Sequence, residues 1–197
     1  TRHEAVGAVG MIVPWNFPIF LTFSPLTSIF AAGNRAMVKM SENSRHLAAL
    51  LIEKIPLCFS LEKLRVFDEE GGVGIEFSKL PFDHLLFTGS SQTGRAVMAA
   101  AAHNLCPVTL ELGGKSPALV LDDFPLDKAA ARILYVKLLN AGQICTTVDY
   151  AYLPKQKISE FIGLSKSIVS QRYPSIHSID YTSIIDDKSF VRLTQAL

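Results

Sequence analysis

Charge of either sign is never concentrated in this sequence. The 197 residues include 19 basic and 18 acidic side chains, for a net charge of +1, and they form no basic or acidic block. Nucleic-acid binding requires Lys and Arg gathered on one face of a domain. The composition therefore excludes a nucleic-acid partner. It also leaves 49% hydrophobic residues, enough to build a sizeable core.

Cysteine is scarce, and metal-ligand spacings are absent. The three cysteines, Cys58, Cys106 and Cys145, are irregularly spaced, form no CxxC pair and have no histidine cluster beside them. This pattern excludes a disulfide framework and predicts no metal site. Free thiols are typical of a reducing compartment, so we expect a cytoplasmic protein.

A long uncharged segment covers residues 5–34, but it lacks the uninterrupted apolar character of a membrane span. Pro14, Pro18 and Pro25 break it, and no charged leader with a small-residue cleavage site precedes it. We interpret it as a buried segment of a larger domain, with a membrane span as the minor alternative. The chain opens at Thr1 and closes within a predicted helix, so we expect a fragment truncated at both ends.

Short apolar runs alternate with helix-length segments throughout the chain. The predicted strands are 9–13, 36–40, 64–67, 84–87, 108–112, 118–121 and 150–153. The predicted helices are 19–32, 44–59, 73–80, 93–103, 127–139, 158–171 and 187–197. This alternation indicates βαβ units and a mostly parallel sheet.

A glycine-rich turn, Gly89 to Gly94, follows a predicted strand and opens a predicted helix. Backbone N–H groups at such a position attract phosphate. A P-loop would continue with Lys and then Ser or Thr, but Arg95 and Ala96 stand there, so an ATPase is disfavoured. A plain strand-to-helix turn explains this stretch equally well.

Three residues are candidates for chemistry, each with an ordinary alternative. Cys145 follows a run of small residues and is either a nucleophile or a buried apolar thiol. Glu111 lies in an apolar strand beside Gly113-Gly114. It is either a buried general base with a raised pKa or a residue on the solvent face of the strand. Asn16, between two aromatic residues and two prolines, either forms a turn or donates to a ligand oxygen.

These signals occur together and in one order. The series is Pro14-Trp15-Asn16-Phe17-Pro18, Lys39-Met40-Ser41-Glu42, Phe87-Thr88-Gly89-Ser90 with Gly94, Glu111-Leu112-Gly113-Gly114-Lys115-Ser116-Pro117, and Gly142-Gln143-Ile144-Cys145. It resembles the aldehyde dehydrogenase superfamily over the whole chain. Three further segments, 80–84, 140–143 and 148–150, are most similar to the coniferyl aldehyde dehydrogenase group.

The resemblance implies an NAD(P)-dependent oxidation of an aldehyde, of an aromatic coniferyl type, to the carboxylic acid. Cys145 would attack the aldehyde, forming a thiohemiacetal and then a thioester. Asn16 and the backbone N–H of Cys145 would hold the oxyanion. Glu111 would activate the water that releases the acid.

The resemblance also implies a cofactor site. Lys39 and Glu42 would lie at the adenosine ribose, Gly89, Ser90 and Gly94 at the pyrophosphate, and Trp15 and Leu112 near the reactive end. Because Glu42 would repel a 2′-phosphate, NAD is favoured over NADP. Met40 stands where the family usually has Pro, which we expect to loosen the Lys39 loop.

The implied fold is α/β, a Rossmann-like parallel sheet followed by part of a second α/β domain. We place an incomplete NAD-binding domain at residues 1–112 and the start of a catalytic domain at 113–197. We expect a homo-oligomer at full length, a small-molecule aldehyde as substrate, no membrane partner and negligible turnover by the piece alone. The alternatives are a CoA-acylating aldehyde dehydrogenase, which needs no water-activating base, and a catalytically silent homologue.

Overall fold

The computed structural model describes residues 4–69 and 74–196, and the chain divides into two compact units, Thr1–Leu112 and Gly113–Leu197. We call these the first unit and the second unit. No helix in the described ranges combines the length and apolar character that crossing a bilayer requires.

The first unit is a five-stranded parallel sheet with helices between its strands. In chain order its elements are β1 (Ala8–Ile12), α1 (Pro18–Ala31), β2 (Arg35–Lys39), α2 (Arg45–Lys54), β3 (Leu64–Phe67), α3 (Gly74–Ser78), β4 (His84–Gly89), α4 (Ser91–Ala101) and β5 (Val108–Leu112). The strand order is β3-β2-β1-β4-β5, and every pair is parallel. The predicted parallel α/β sheet is confirmed.

Helices cover both faces of this sheet. Val9, Met11 and Val38 point to the face where α1 and α2 pack, in a cluster that includes Leu26 and Leu51. Leu85, Phe87, Val97 and Ala101 join α3 and α4 on the opposite face. The uncharged segment 5–34 therefore supplies a central strand, which is largely buried, and a helix that buries only Thr22 and Leu26, so the buried-segment interpretation holds for β1 and not for most of α1.

The second unit has a smaller sheet of two parallel strands. Its elements are β6 (Ser116–Leu119), α5 (Leu126–Leu138), β7 (Val148–Tyr152), α6 (Ile158–Arg172) and α7 (Asp187–Thr194). A separate cluster of Val120, Leu126 and Ala129 packs with Leu153 and residues of α6.

Several predicted boundaries differ from those in the structure, and two of the differences involve prolines. The helix expected at 44–59 is α-helical only over Arg45–Lys54, followed by a 3₁₀ turn at Ile55–Leu57, because Pro56 has no N–H to continue the ladder. The strand expected at 118–121 begins at Ser116 instead. A register irregularity beside Pro117 lets this proline lie within a paired strand.

The predicted end signal of α1 is present: Gly33 follows the cap residue Ala32 and has φ +85°, which is typical of a glycine that ends a helix. Val73, the predicted start of α3, and Leu197, the predicted end of α7, lie outside the described residues.

We predict that Leu85→Ala destabilises the first unit by about 2–5 kcal/mol, because Leu85 is fully buried in β4 and its truncation leaves a cavity. Urea unfolding followed by circular dichroism measures this loss. Leu57→Ala makes the same chemical change at a side chain that is 77% exposed and should shift the free energy of unfolding by less than about 0.5 kcal/mol. Equal effects of the two variants would contradict the assigned core.

Candidate functional site

Most of the residues implicated by the sequence lie at one edge of the first unit's sheet. They are Trp15 and Asn16 after β1, Lys39 and Glu42 at the end of β2, Gly89 and Ser90 at the end of β4, and Leu112 at the end of β5. Parallel pairing brings the carboxyl ends of these strands to the same edge. The chain runs outward from β1 through β2 to β3, then crosses back to β4. Ligands of open α/β sheets bind in the crevice at such a crossover point.

The glycine turn at this edge leads into the N-terminus of α4. The Ser90 hydroxyl accepts a hydrogen bond from the Thr93 amide at 3.1 Å and lies 2.9 Å from the Thr93 hydroxyl. Ser90, Ser91 and Gln92 are all exposed. An eleven-residue helix with an exposed first turn presents backbone N–H groups and the positive end of its dipole to solvent.

Gly94 brings α4 close to the sheet. A Cβ added at Gly94 would lie 3.1 Å from a Leu112 methyl group and 3.5 Å from the Phe87 ring. A larger residue would push the helix N-terminus away from β4 and β5. Close packing of α4 on the sheet therefore explains why position 94 is a glycine, whether or not a phosphate binds there.

Lys39 has a partner that the sequence analysis missed. Its side chain is almost fully buried at the end of β2, and its ammonium group pairs with the carboxylate of Glu69, which is 30% exposed. Glu69 comes two residues after β3, the strand paired with β2. The sequence signal for this pair was a carboxylate, Glu69, just after β3. Using that signal required knowing that β3 lies next to β2 in the sheet.

Glu42 lies in the 3₁₀ turn after β2, where its carboxylate accepts a hydrogen bond from the Ser41 hydroxyl at 3.2 Å. Met40, between Lys39 and Ser41, is fully buried, and its amide donates to the Phe67 carbonyl at 2.8 Å. A proline lacks this N–H. The expectation of a looser Lys39 loop is therefore wrong, because Met40 adds a hydrogen bond between β2 and the end of β3.

Asn16 is half-buried in the turn between β1 and α1. Its side-chain oxygen accepts from the Phe17 amide at 3.1 Å, which orients the carboxamide. An apolar groove of about 680 Å³ adjoins it, lined by Phe17, Pro18, Ile19, Phe20, Phe23, Ser24 and Thr27. Phe20 is 66% exposed and Ile19 60% exposed, an unusual display of large apolar side chains beside a polar amide.

Glu111 lies on the solvent face of β5. Val108, Leu110 and Leu112 are half-buried, whereas Thr109 and Glu111 are exposed. The expectation of a buried carboxylate is therefore wrong, and the alternating-strand alternative is correct. The reason is the pleat of β5: successive side chains point to opposite faces, and Val108, Leu110 and Leu112 take the face that packs on the cluster of β4 and α4.

In the second unit, Cys145 lies in a tight turn between α5 and β7 and is exposed. Before it, Asn140, Ala141 and Gly142 have φ values of 53°, 53° and 74°. Three successive left-handed residues, two of them not glycine, are uncommon and need support from their surroundings. A Cβ on Gly114 would come within 3.9 Å of the Cys145 carbonyl oxygen, so Gly114 lies beside this turn.

The other two cysteines differ from each other. Cys106 is buried in the cluster of β4 and α4, and burial, reinforced by the negative charge of Asp83, raises the pKa of its thiol. Cys58, in contrast, is exposed. The described residues contain no group of three or more His, Cys, Asp or Glu side chains placed to bind a metal ion.

The strand order and the residues gathered at the carboxyl edge define a doubly wound α/β protein of the kind that binds its ligand at a strand crossover. The sequence pattern of the aldehyde dehydrogenase family matches residues 1–196, and the chain belongs to that family.

Named relatives agree with this assignment. The chain is 48% identical over 197 residues to a coniferyl aldehyde dehydrogenase from a Pseudomonas species, and 48% identical over 192 residues to a probable coniferyl aldehyde dehydrogenase of Pseudomonas aeruginosa. It is 41% identical over 196 residues to the mouse dimeric NADP-preferring aldehyde dehydrogenase. These matches cover 97% to 100% of the chain but only 40% to 43% of each relative.

Solved structures are similar over the same extent. A substrate-bound Staphylococcus aureus AldH superimposes with a TM-score of 0.90 at 35% identity, covering 98% of this chain and 43% of that one. A Mycobacterium tuberculosis aldehyde dehydrogenase complexed with NAD+ gives 0.87 at 30% identity, with 98% and 41% covered.

We predict that iodoacetamide at pH 8 modifies Cys58 and Cys145 in the native chain and leaves Cys106 protected. The raised pKa of Cys106 keeps its thiolate fraction low until a more alkaline pH than an ordinary thiol requires, and burial blocks access. Peptide mass spectrometry distinguishes the three sites. In urea all three should react, and rapid native labelling of Cys106 would contradict the structure.

Proposed function

We propose that the protein to which this chain belongs oxidises an aldehyde to a carboxylic acid with NAD, using Cys145 as nucleophile and Glu111 as general base. The observation that carries the proposal is the gathering of Trp15, Lys39 and Ser90 at the carboxyl edge of the sheet, where the crossover falls. Family membership supplies the reaction class. In this proposal the first unit is the cofactor domain and the second begins the catalytic domain.

Cys145 starts the reaction in this proposal. Its thiolate forms a C–S bond with the aldehyde carbon, and the carbonyl electrons move onto oxygen. The Asn16 carboxamide and the Cys145 backbone N–H stabilise that oxyanion, and losing one such donor typically costs about 10²–10³ in rate. The carboxamide nitrogen is the donor end of Asn16, and the hydrogen bond from the Phe17 amide to the carboxamide oxygen limits how the group can flip.

Glu111 acts in the second half-reaction. The oxyanion reforms a carbonyl as a hydride leaves the carbon with its electron pair, and the product on Cys145 is a thioester. Glu111 then takes a proton from water as the water oxygen attacks, the C–S bond breaks and the Cys145 thiolate departs. Glu111 is exposed on β5 and can reach water, and the general-base role itself rests on its place in the motif Glu111-Leu112-Gly113-Gly114.

The residues at the carboxyl edge fit a dinucleotide. The exposed first turn of α4 suits a pyrophosphate. Ser90 caps this turn, and Gly94 lets the helix pack closely on the sheet. Bound NAD would accept the hydride and supply the redox chemistry of the step. Trp15 and Leu112, at the ends of β1 and β5, would lie near its reactive end.

Carboxylates near Lys39 favour NAD over NADP. Glu69 already neutralises the buried Lys39 ammonium, and Glu42 follows three residues later. A 2′-phosphate would bring about two further negative charges towards these two carboxylates. The mouse relative's name, NADP-preferring, makes NADP the competing choice.

An apolar aldehyde of the coniferyl type suits the groove beside Asn16. Its lining by Phe17, Ile19, Phe20 and Phe23 offers ring-sized apolar contacts next to the proposed oxyanion donor. The Pseudomonas relatives carry the same substrate class in their names. The three free cysteines favour a reducing compartment, so we propose a cytoplasmic protein. Homo-oligomer formation stays a prediction.

A CoA-acylating enzyme is the second candidate. There the thioester would pass to the thiol of coenzyme A, and no water-activating base would be needed. Glu111 favours hydrolysis, because a carboxylate on the exposed face of β5 has no task in a transfer between thiols. Product analysis with and without coenzyme A separates the two candidates.

We predict that Glu111→Gln, in a protein of the relatives' full length that carries this chain, still forms about one NADH per Cys145 but loses steady-state turnover by about 10²-fold or more. The hydride leaves before hydrolysis, so acylation survives while deacylation stops. Stopped-flow absorbance of NADH measures the burst. Cys145→Ser is the control and should abolish the burst itself. Full turnover in both variants would refute the assigned roles.

We predict that NAD quenches the fluorescence of Trp15, the single tryptophan, more strongly than NADP at equal concentration. Glu69→Gln should tighten NADP binding by about tenfold, roughly 1.4 kcal/mol, because it frees the Lys39 ammonium for a phosphate. Fluorescence titration gives both dissociation constants.

Glu53→Gln is the matched control for this titration. Glu53 pairs with Lys54 on the exposed side of α2, so its neutralisation changes the same charge away from the carboxyl edge. Tighter binding of NADP than NAD by the unmodified chain would overturn the cofactor assignment.

A further inference from the structure

The side chain of Gln143 connects the Cys145 turn to a segment forty residues later in the second unit. Its amide nitrogen donates to the Asn140 carbonyl at 3.0 Å and to the Ser183 carbonyl at 3.2 Å. Its oxygen accepts from the Ile185 amide at 3.0 Å. Both ends of one carboxamide are therefore used, and two of the three bonds reach residues just before α7.

This bridge supports an uncommon backbone. The left-handed residues 140–142 come immediately before Gln143. The backbone N–H of Gln143, like its side chain, donates to the Asn140 carbonyl at 3.0 Å. The Asn140 side chain donates back to the Gln143 carbonyl at 3.4 Å. Left-handed conformations at Asn140 and Ala141 each cost free energy, so they persist only where neighbouring contacts over-determine them. Gln143 supplies such contacts.

The far side of the Cys145 turn is fixed as well. The Thr147 amide donates to the Ile144 carbonyl and the Thr147 hydroxyl donates to the Val136 carbonyl of α5, both at 3.2 Å. Cys145 thus lies on a short turn between two attachment points, one to α5 and one to residues 183–185. Removing either point would leave the turn held by the other alone.

We propose that Gln143 is a positioning residue for the Cys145 thiol. The proposal rests on the proposed function, since it matters for catalysis only where Cys145 is the nucleophile. The Gln143 carboxamide bonds to backbone groups of the second unit, so in this proposal it acts through the turn. It holds the turn against the Ser183 and Ile185 backbone, so that the thiol and its backbone N–H keep a fixed orientation. The Ser183–Ile185 segment in turn leads into α7 through Asp186, whose carboxylate accepts from the Ser189 amide at 2.6 Å.

The test replaces the carboxamide without changing its volume. Gln143→Met removes the hydrogen bonds to Asn140, Ser183 and Ile185, and Gln171→Met makes the same change on α6, where Gln171 bonds only to Ser167 at 3.4 Å among the contacts described. Hydrogen exchange of the native chain reports on the bridge directly. In Gln143→Met we expect faster exchange both at the Ile185 amide and in residues 144–147, with no change in Gln171→Met.

Kinetics of a full-length protein carrying this chain test the consequence. A misplacement of about 1 Å costs on the order of 10²-fold in rate. We expect Gln143→Met to lower kcat by about 10–100-fold while the dissociation constant of NAD, measured by Trp15 quenching, stays within about twofold. If Gln143 only stabilised the fold, its replacement would lower kcat and weaken NAD binding together, or would change neither. Gln143→Asn, one methylene shorter and still polar, should lower kcat similarly because it cannot span both Ser183 and Ile185.

The outcomes separate this inference from the proposed function. Unchanged kcat in both Gln143→Met and Gln143→Asn, or unchanged exchange at 144–147, overturns the inference. If Gln143→Met does not fold, Gln143→Asn alone decides. Retained activity in Cys145→Ser overturns the proposed function instead, whatever the Gln143 variants do to the exchange of the turn.

Discussion

The pairing of β1 with β2 on one side and β4 on the other brings Trp15, Lys39 and Ser90 to one edge of the first unit's sheet. Met11 is paired with Val38 and with Leu86, so three strands end at nearly the same level. The residues that follow them emerge together at one edge. β1 can occupy this central position because its residues are apolar on both faces, with Val9, Met11 and Val13 on one side and Ile12 on the other.

Placing charge at such an edge has an electrostatic consequence. Lys39 is the last residue of β2 and lies within the packed layer rather than beyond it, and an ammonium group removed from water requires a partner. Glu69 meets that requirement because β3 is adjacent and parallel, so its following residues rise beside those of β2. The backbone bond from Met40 to Phe67 ties the same two strand ends together. The charge balance near the proposed ribose position is thus set by sheet order as much as by local motif.

Local sequence was sufficient for most elements. β3 and β5 have the predicted bounds, because each is a short apolar run between turn residues, and α1 and α5 differ from prediction by one residue at each end. Where local sequence failed, long-range information was missing. The alternation of β5 allowed an exposed Glu111, but which face is covered depends on where α4 packs. The Lys39–Glu69 pair depends on β2 and β3 being neighbours, and the Gln143 bonds span forty residues. None of these relations has a signature in a short window of sequence.

The contrast between Cys106 and Cys145 shows why a cysteine's neighbours in sequence say little about its chemistry. Both follow residues of small or moderate size, yet Cys106 enters the core between β4 and α4, where burial raises its pKa, while Cys145 is exposed on a turn. What separates them is backbone conformation. The left-handed run at Asn140–Gly142 turns the chain outward before Cys145, and such a run survives only with tertiary support. A residue that supplies this support, as Gln143 does from two positions upstream, determines where the thiol lies although its own side chain is chemically inert.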